Sequence, residues 1–194
     1  MKRDLCGKTI RKYIRPDALV YCGLGTASRT WRAQEAPQLT YYGSDPMGIS
    51  VSMALGLAMS QPTREVLLIV GDGDFAMSLG SLLTLVGSKV RNLKILIFDN
   101  GRYETGGSQK LAAADTYSFA TIARGAGFPY AVDLREDAKA DGAIREFLAQ
   151  AGLALIAVRI DTEASPYPPA PAMAQVEERA LFMQRLAEGR FPGR

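Results

Sequence analysis

The 194-residue chain is predicted to fold as an α/β domain, a three-layer arrangement in which a parallel sheet carries helices on both faces. Three observations predict it. Two continuous apolar runs of strand length, VLLIV (66–70) and LKILIF (93–98), have the character of strands buried on both faces. Between them Phe75, Leu79, Leu82, Leu83 and Val86 recur at helical spacing, which makes a β–α–β unit with a right-handed crossover. The length suits one core, and 47% hydrophobic with 22% charged residues is ordinary for a globular chain.

Taken in order, ALVYCG (18–23) reads as the first strand and GISVSMALGLAMS (48–60) as a helix. The central β–α–β unit follows. A further helix is expected near DAKADGAIREFLAQA (137–151), and LALIAVRI (153–160) reads as another buried strand. The composition then changes: TEASPYPPAPA (162–172) holds four of the ten prolines and cannot continue a strand or a helix. The expected organisation is therefore a domain over residues 1–162, with 163–194 as a Pro-rich linker and C-terminal helix. In that helix Val176, Ala180, Met183 and Ala187 fall near one face, which should pack on the body or on another subunit.

Composition excludes several chemistries. The chain has no His, so Ser–His and Cys–His triads within it are ruled out, together with the usual His-rich metal sites. Cys6 and Cys22 are too few and too far apart for a zinc knuckle or an iron–sulfur cluster, and read as packing residues in a reducing compartment. A net charge of +3 without clustering gives no nucleic-acid footprint. No apolar stretch approaches the ~18 residues of a membrane span, and the amino-terminal segment lacks the apolar core of a secretory signal. A cytoplasmic protein is expected, with no nucleic acid or membrane partner.

The run at 66–70 ends on an Asp between two glycines, GDGDF (71–75). Loops following neighbouring parallel strands emerge on one edge of the sheet, where α/β domains bind ligands. Asp72 should therefore meet Asn100, which follows the next strand, at about one strand spacing of ~4.8 Å. A carboxylate and an amide oxygen are hard ligands, too few to enclose Mg²⁺ alone, and Mg²⁺ ordinarily completes its shell with water and phosphate oxygens. Gly71 and Gly73 would let the backbone approach such a ligand, and a helix opening near Asp74 and Phe75 would aim free N–H groups at the anion. Other nucleotide signatures fail, since GDGDFA lacks the third glycine of a dinucleotide fingerprint and neither GSK (87–89) nor GGSQK (106–110) is a Walker A loop. A GDG used only as a turn, in a nucleotide-binding or structural module, stays open at this point.

GDG, an interval of 25 residues (74–98) and DN at 99–100 together resemble the thiamine diphosphate motif, with Asp99 in place of the first Asn of the usual pair. The resemblance implies a thiamine diphosphate-binding fold, with thiamine diphosphate and Mg²⁺ as cofactors. It further implies that Asp72, Asn100 and the backbone carbonyl of Arg102 hold the metal. YYGSDPMGISVSMALGLAM (41–59) is similar to the family segment that grips the aminopyrimidine. Met47 would wedge between the two cofactor rings, and its N–H with the Asp45 carbonyl would face the pyrimidine. GLGTAS (23–28) falls where the family places a loop on the diphosphate, which implies contacts from Gly25 and Thr26.

Only the diphosphate-side domain is covered, roughly residues 5 to 162. The resemblance therefore implies a companion pyrimidine-binding subunit supplying the catalytic Glu, and self-association within a hetero-oligomer. No catalytic residue is assigned to this chain. Glu104 is expected on the diphosphate side as a solvated loop carboxylate or a helper for substrate. NGRYETGGSQK (100–110) is similar to a loop of sulfopyruvate decarboxylase β subunits and phosphonopyruvate decarboxylases. The implied activity is decarboxylation of a small 2-oxo acid to CO₂ and an aldehyde, with an acetolactate synthase-like carboligase as the alternative. Arg102, Ser108, Gln109 and Lys110 would hold an acidic tail of the substrate, or else form a solvated loop. Asp45–Pro46, inserted between GS and MG, and Lys110 depart from those relatives, so the substrate does not transfer with the motif.

Overall fold

The structure is a computed structural model that describes residues 1–163, 166–167 and 175–189. Its strands are β1 (Leu19–Cys22), β2 (Leu39–Tyr42), β3 (Val66–Gly71), β4 (Leu93–Asp99), β5 (Arg102–Tyr103), β6 (Gln109–Lys110), β7 (Tyr130–Leu134) and β8 (Ala154–Arg159). Six of them form one parallel sheet in the order β2-β1-β3-β4-β8-β7, and β5 and β6 make a separate antiparallel hairpin. The helices are α1 (Arg3–Tyr13), α2 (Thr26–Arg32), α3 (Ser50–Ser60), α4 (Asp72–Ala76), α5 (Ser81–Ser88), α6 (Phe119–Ala126), α7 (Ala140–Ala149) and α8 (Gln175–Ala187).

Alternation along the inner strands divides the core into two layers. Leu68 and Val70 of β3 face a cluster built with Val51, Leu55, Phe75, Leu82, Phe119 and Phe182. Leu67 and Ile69 face the other side, against Ile10, Trp31, Ile144 and Phe147. Both faces of β3 and β4 are covered, which is why their sequences read as unbroken apolar runs. Each such buried side chain contributes roughly 1.5–3 kcal/mol, so the middle of the sheet is its most strongly held part.

Periodicity missed the two edge strands. In β2, Leu39 and Tyr41 are buried while Thr40 and Tyr42 are half-buried, and β7 carries Asp133. Edges are covered less completely, so they lack the continuous apolar signature. The helix expected over 75–86 is also two helices, not one. Ser78 N–H bonds the Phe75 carbonyl at 3.0 Å and Ser81 N–H the Ser78 carbonyl at 2.8 Å, which closes a turn between α4 and α5. That turn resets the helical face, leaving Leu83 exposed and Leu79 only partly packed.

The C-terminal helix docks on its own body along the β2 edge, through a different face from the one the spacing predicts. Val176 and Met183 are 76% and 55% exposed, whereas Phe182 is 6% exposed. Its ring lies 5.5 Å from that of Tyr41, and Arg32 pairs with Glu178 at 2.7 Å. An aromatic group entering the core and an ion pair one turn away outweigh a stripe of small residues. Covering β2 in this way also shields an edge strand from pairing with another chain. Most of the Pro-rich segment lies outside the described residues.

The amino edge of the sheet is closed. Asn92 Nδ2 donates to the carbonyls of Ala58, Gln61 and Arg64 at 3.0, 2.9 and 2.8 Å. Buried Lys94 bonds both Glu65 and the Leu148 carbonyl. At the carboxyl edge the chain leaves β1 toward β2 and then crosses to β3, so a crevice opens between the ends of β1 and β3.

Replacing Phe182 with Ala should cost about 3 kcal/mol in chemical denaturation, as expected for truncating a buried aromatic side chain. Substitution of Val176 with Ala should leave the midpoint nearly unchanged.

Candidate functional site

Register brings the two predicted strand ends together. Gly71 pairs with Phe98, so Asp72 and the 99–101 loop leave the sheet side by side. Gly101 N–H donates to Asp72 Oδ2 at 2.5 Å, and Gly73 N–H donates to Oδ1 at 2.9 Å. Gly101 adopts φ +71°, a left-handed conformation that a side chain would disfavour and that turns its N–H back toward β3. The other neighbour of Asp72 is a carboxylate, Asp99, whose partner is Arg159 at 3.1 Å.

Asp72 is thus buried beside a second acidic group, and among the described residues its hydrogen-bond donors are the Gly73 and Gly101 N–H groups. Burial, with Asp99 adding to it, pushes its carboxyl up to about 7, against the opposing pull of the two N–H bonds. A cation bound beside it would favour the charged carboxylate. The described residues contain no cluster of three or more His, Cys, Asp or Glu side chains able to hold a metal. A divalent ion here would need amide, backbone and ligand oxygens beside Asp72, and Asn100 Oδ1 is an amide oxygen of that kind. The residues fit Mg²⁺ held jointly by protein and phosphate.

Asp72, Gly71, Gly73, Asp74, Asn100, Arg102, Thr26 and Met47 all line one cleft of about 440 Å³ including its open mouth. Gly71 and Gly73 serve different ends. A Cβ on Gly71 would meet nothing within 4 Å, so its bareness keeps the cleft open. A Cβ on Gly73 would lie 2.6 Å from Tyr103 Cδ1, so this glycine admits the β5–β6 hairpin against the GDG turn. Gly25, at φ +78°, likewise admits Thr105, and it stands between the lining residues Leu24 and Thr26.

Asp74 acts on the Met47 segment. Its Oδ1 accepts Gly48 N–H at 2.7 Å and its Oδ2 accepts the Ser50 hydroxyl at 2.6 Å, so the GDGD turn grips the start of α3. Burial raises this carboxyl too, offset by those bonds. Asp45 is outside the cleft lining, and its carboxylate accepts the Tyr21 hydroxyl at 3.0 Å. The Phe75 side chain is in the core, edge-on to Phe119 at 5.2 Å. The helix expected to point at an anion is only the five-residue α4, so any anion binding here rests on individual N–H groups more than on a helix dipole.

Glu104, expected as a solvated loop carboxylate or a helper for substrate, is instead half-buried and held by three donors. Its Oε2 accepts Arg3 Nη2 at 2.8 Å, Thr26 Oγ1 at 2.9 Å and Asn100 Nδ2 at 3.0 Å. Arg3 lies 101 positions away, and no local pattern could announce the contact. Of the expected acidic-tail group, Arg102 Nη1 is spent on the Ser108 carbonyl at 3.0 Å, and Lys110 pairs with Asp115.

Residues 22–158 match the family described as thiamine pyrophosphate enzyme, C-terminal TPP binding domain. The chain is 39% identical over 113 residues to the sulfopyruvate decarboxylase subunit beta of Methanothermobacter thermautotrophicus, covering 58% of this chain and 60% of that protein. It is 32% identical over 162 residues to the acetolactate synthase isozyme 1 large subunit of Escherichia coli, covering 73% of this chain and 28% of that one. Among solved structures, the thiamine diphosphate-dependent 4-hydroxybenzoylformate decarboxylase of Rhodococcus jostii RHA1 superposes with a TM-score of 0.68 at 20% identity, over 84% of this chain and 33% of that one. That likeness is one of fold. The chain therefore spans only part of the length of each relative.

A carboxyl whose folded value lies above its unfolded one takes up a proton on folding, so it subtracts stability as pH rises from ~4 through about 7. In metal-free buffer the stability of Asp72→Asn relative to the parent should therefore grow across that window by on the order of 2 kcal/mol, read from denaturation midpoints at pH 4.5 and 8. A flat difference would show that the carboxylate is compensated without a cation.

Proposed function

The chain belongs to the thiamine pyrophosphate enzymes through their C-terminal, cofactor-binding domain, and from that membership we propose that it is the diphosphate- and Mg²⁺-binding subunit of a split 2-oxo acid decarboxylase. The observation that carries the proposal is the junction of β3 and β4, where the buried Asp72 carboxylate, whose donors among the described residues are two backbone N–H groups, lines one open cleft with the Asn100 amide. Similarity to the beta subunits named for sulfopyruvate decarboxylase supports the two-subunit arrangement. A companion subunit would supply the pyrimidine-side Glu, and the reaction would release CO₂ and an aldehyde.

When bound, thiamine diphosphate supplies the electron-accepting ring through which a 2-oxo acid loses CO₂. The work of this chain is to hold and orient. Asp72, Asn100 and the Arg102 carbonyl would hold Mg²⁺ and neutralise the diphosphate. Gly71, Gly73, Gly25 and Thr26 would border the phosphates, and Met47, fixed through Gly48 and Asp74, would set the bend between the cofactor rings. None of these groups exchanges a proton with substrate. Catalytic proton transfer belongs to the cofactor and the companion. The site's placement at the edge of a sheet, walled by the β5–β6 hairpin, limits water around the reacting end.

A carboligase is the second reading, favoured by the similarity to the acetolactate synthase large subunit over 73% of this chain. The two differ in whether a proton or a second carbonyl compound captures the product carbon. Family membership removes the support for a non-catalytic nucleotide-binding module. Among the described residues no helix is long and apolar enough to cross a membrane, and a cytoplasmic hetero-oligomer is part of the proposal.

Calorimetric titration should show Mg²⁺-dependent binding of thiamine diphosphate that Asp72→Ala abolishes; binding unaffected by that substitution would end the metal assignment. Turnover of sulfonated, phosphonated and plain 2-oxo acids should require the companion subunit. Full turnover by this chain alone would end the split-enzyme reading, and a product formed from two carbonyl compounds would favour the carboligase.

A further inference from the structure

Glu104 occupies a position that the metal site itself does not require. It is four residues beyond Asn100, on the short turn Glu104–Gly106 between β5 and β6, and a single oxygen of its carboxylate gathers donors from three separate parts of the fold. One is Arg3 of α1, another is Thr26 at the start of α2, and the third is the Asn100 side-chain amide.

The third contact has a chemical consequence. An Asn side chain presents an oxygen and an NH₂ of nearly equal size, and which end points where is decided by its partners. Asn100 lies buried between two partners that allow no choice. Glu104 Oε2, as a carboxylate oxygen, only accepts, and takes Asn100 Nδ2 at 3.0 Å. The backbone N–H of Arg102 only donates, and reaches Asn100 Oδ1 at 2.9 Å. Turning the amide over would set two acceptors against each other at one end and two donors at the other. Both mismatches would fall on a buried side chain, Asn100, where leaving its polar atoms unpaired is costly.

We propose, resting on the cofactor reading above, that Glu104 is the positioning residue of the metal site: it locks the Asn100 amide so that oxygen, not nitrogen, is the atom offered to Mg²⁺. The Arg102 N–H occupies one lone pair of that oxygen and leaves the other for the ion. Arg3 and Thr26 act one step further out. Arg3 is buried and gives Glu104 a fixed counter-charge, and Thr26 holds the same oxygen from the start of α2. The network ties the metal loop after β4 to the loop after β1, on either side of the GDG turn. Metal ligands held by an outer partner in this way commonly lose affinity when the partner is removed, although it never touches the ion.

The test separates this role from simple tethering of α1. Thiamine diphosphate is titrated calorimetrically into the full chain at a series of Mg²⁺ concentrations, giving the Mg²⁺ level for half-saturation. Glu104→Ala strands the buried Arg3 and can fail to fold, so the informative variant is Glu104→Ala with Arg3→Met, compared with Arg3→Met alone. Both lose the tether to α1, and only the double variant loses the lock on Asn100. The double variant should raise the Mg²⁺ half-saturation by ~10-fold or more, and Arg3→Met alone by less than about 3-fold. Equal half-saturation in the two variants would overturn the proposal while leaving the cofactor reading intact. A parent chain that binds no thiamine diphosphate at any Mg²⁺ level would sink that reading and the proposal together.

Discussion

The hydrogen bond from Gly101 N–H to the Asp72 carboxylate, spanning the ends of two adjacent parallel strands, is the contact around which the rest of the site is arranged. It follows from the sheet. Once β3 and β4 pair in register up to Gly71 and Phe98, the next residues of both strands leave the sheet together, and Gly101 can turn back on Asp72. The carboxylate is carried into a buried position by strands held on both faces, and the two N–H groups it receives do not offset the loss of water. The fold thus holds a carboxylate where burial disfavours its charged form, a setting that the proposed divalent cation would suit.

Other parts of the site connect to this junction through side chains that also line the cleft. Asp74, two residues on, bonds Gly48 and Ser50 and so sets the turn after Met47. Tyr103 packs on Gly73, which lays the β5–β6 hairpin along one wall of the cleft. Glu104 then joins that hairpin to α1, α2 and Asn100. These ties act in the manner of an outer shell around a metal: they orient groups whose own chemistry is simple. At the opposite edge of the sheet Asn92 closes three carbonyls and buried Lys94 bonds the Leu148 carbonyl.

The proposed function makes the cleft half of a working site. Its lining combines carboxylates and an amide, Asp72, Asp74, Glu104 and Asn100, with the apolar Met47, and on the proposed reading it anchors the cofactor while a companion supplies the proton-transferring group. The similarity to beta subunits of a decarboxylase is consistent with such a division of labour, in which one polypeptide anchors and another activates. Within this chain the polar groups of the cleft are largely committed to each other. Thr26 serves Glu104, and Arg102 serves the hairpin through the Ser108 carbonyl. Specificity for a substrate tail therefore falls less on these side chains than their charges alone suggest.

The sequence by itself determined the layered α/β class, the inner strands and the placement of Asp72 and Asn100 in one cleft at the strand ends, because strands covered on both faces must be continuously apolar and loops after neighbouring parallel strands share one edge. It also carried the motif spacing that marks the family. The edge strands, the break between α4 and α5, the face of α8 and the Arg3–Glu104–Asn100 network were decided only in three dimensions. Each depends on partners far apart in the chain: Tyr41 and Arg32 select Phe182 and Glu178 of the last helix, and Arg3 finds Glu104 across the width of the domain. Local periodicity records which residues avoid water, but it does not record which partner will meet them, since that is set by the packing of elements whose order in space differs from their order in sequence.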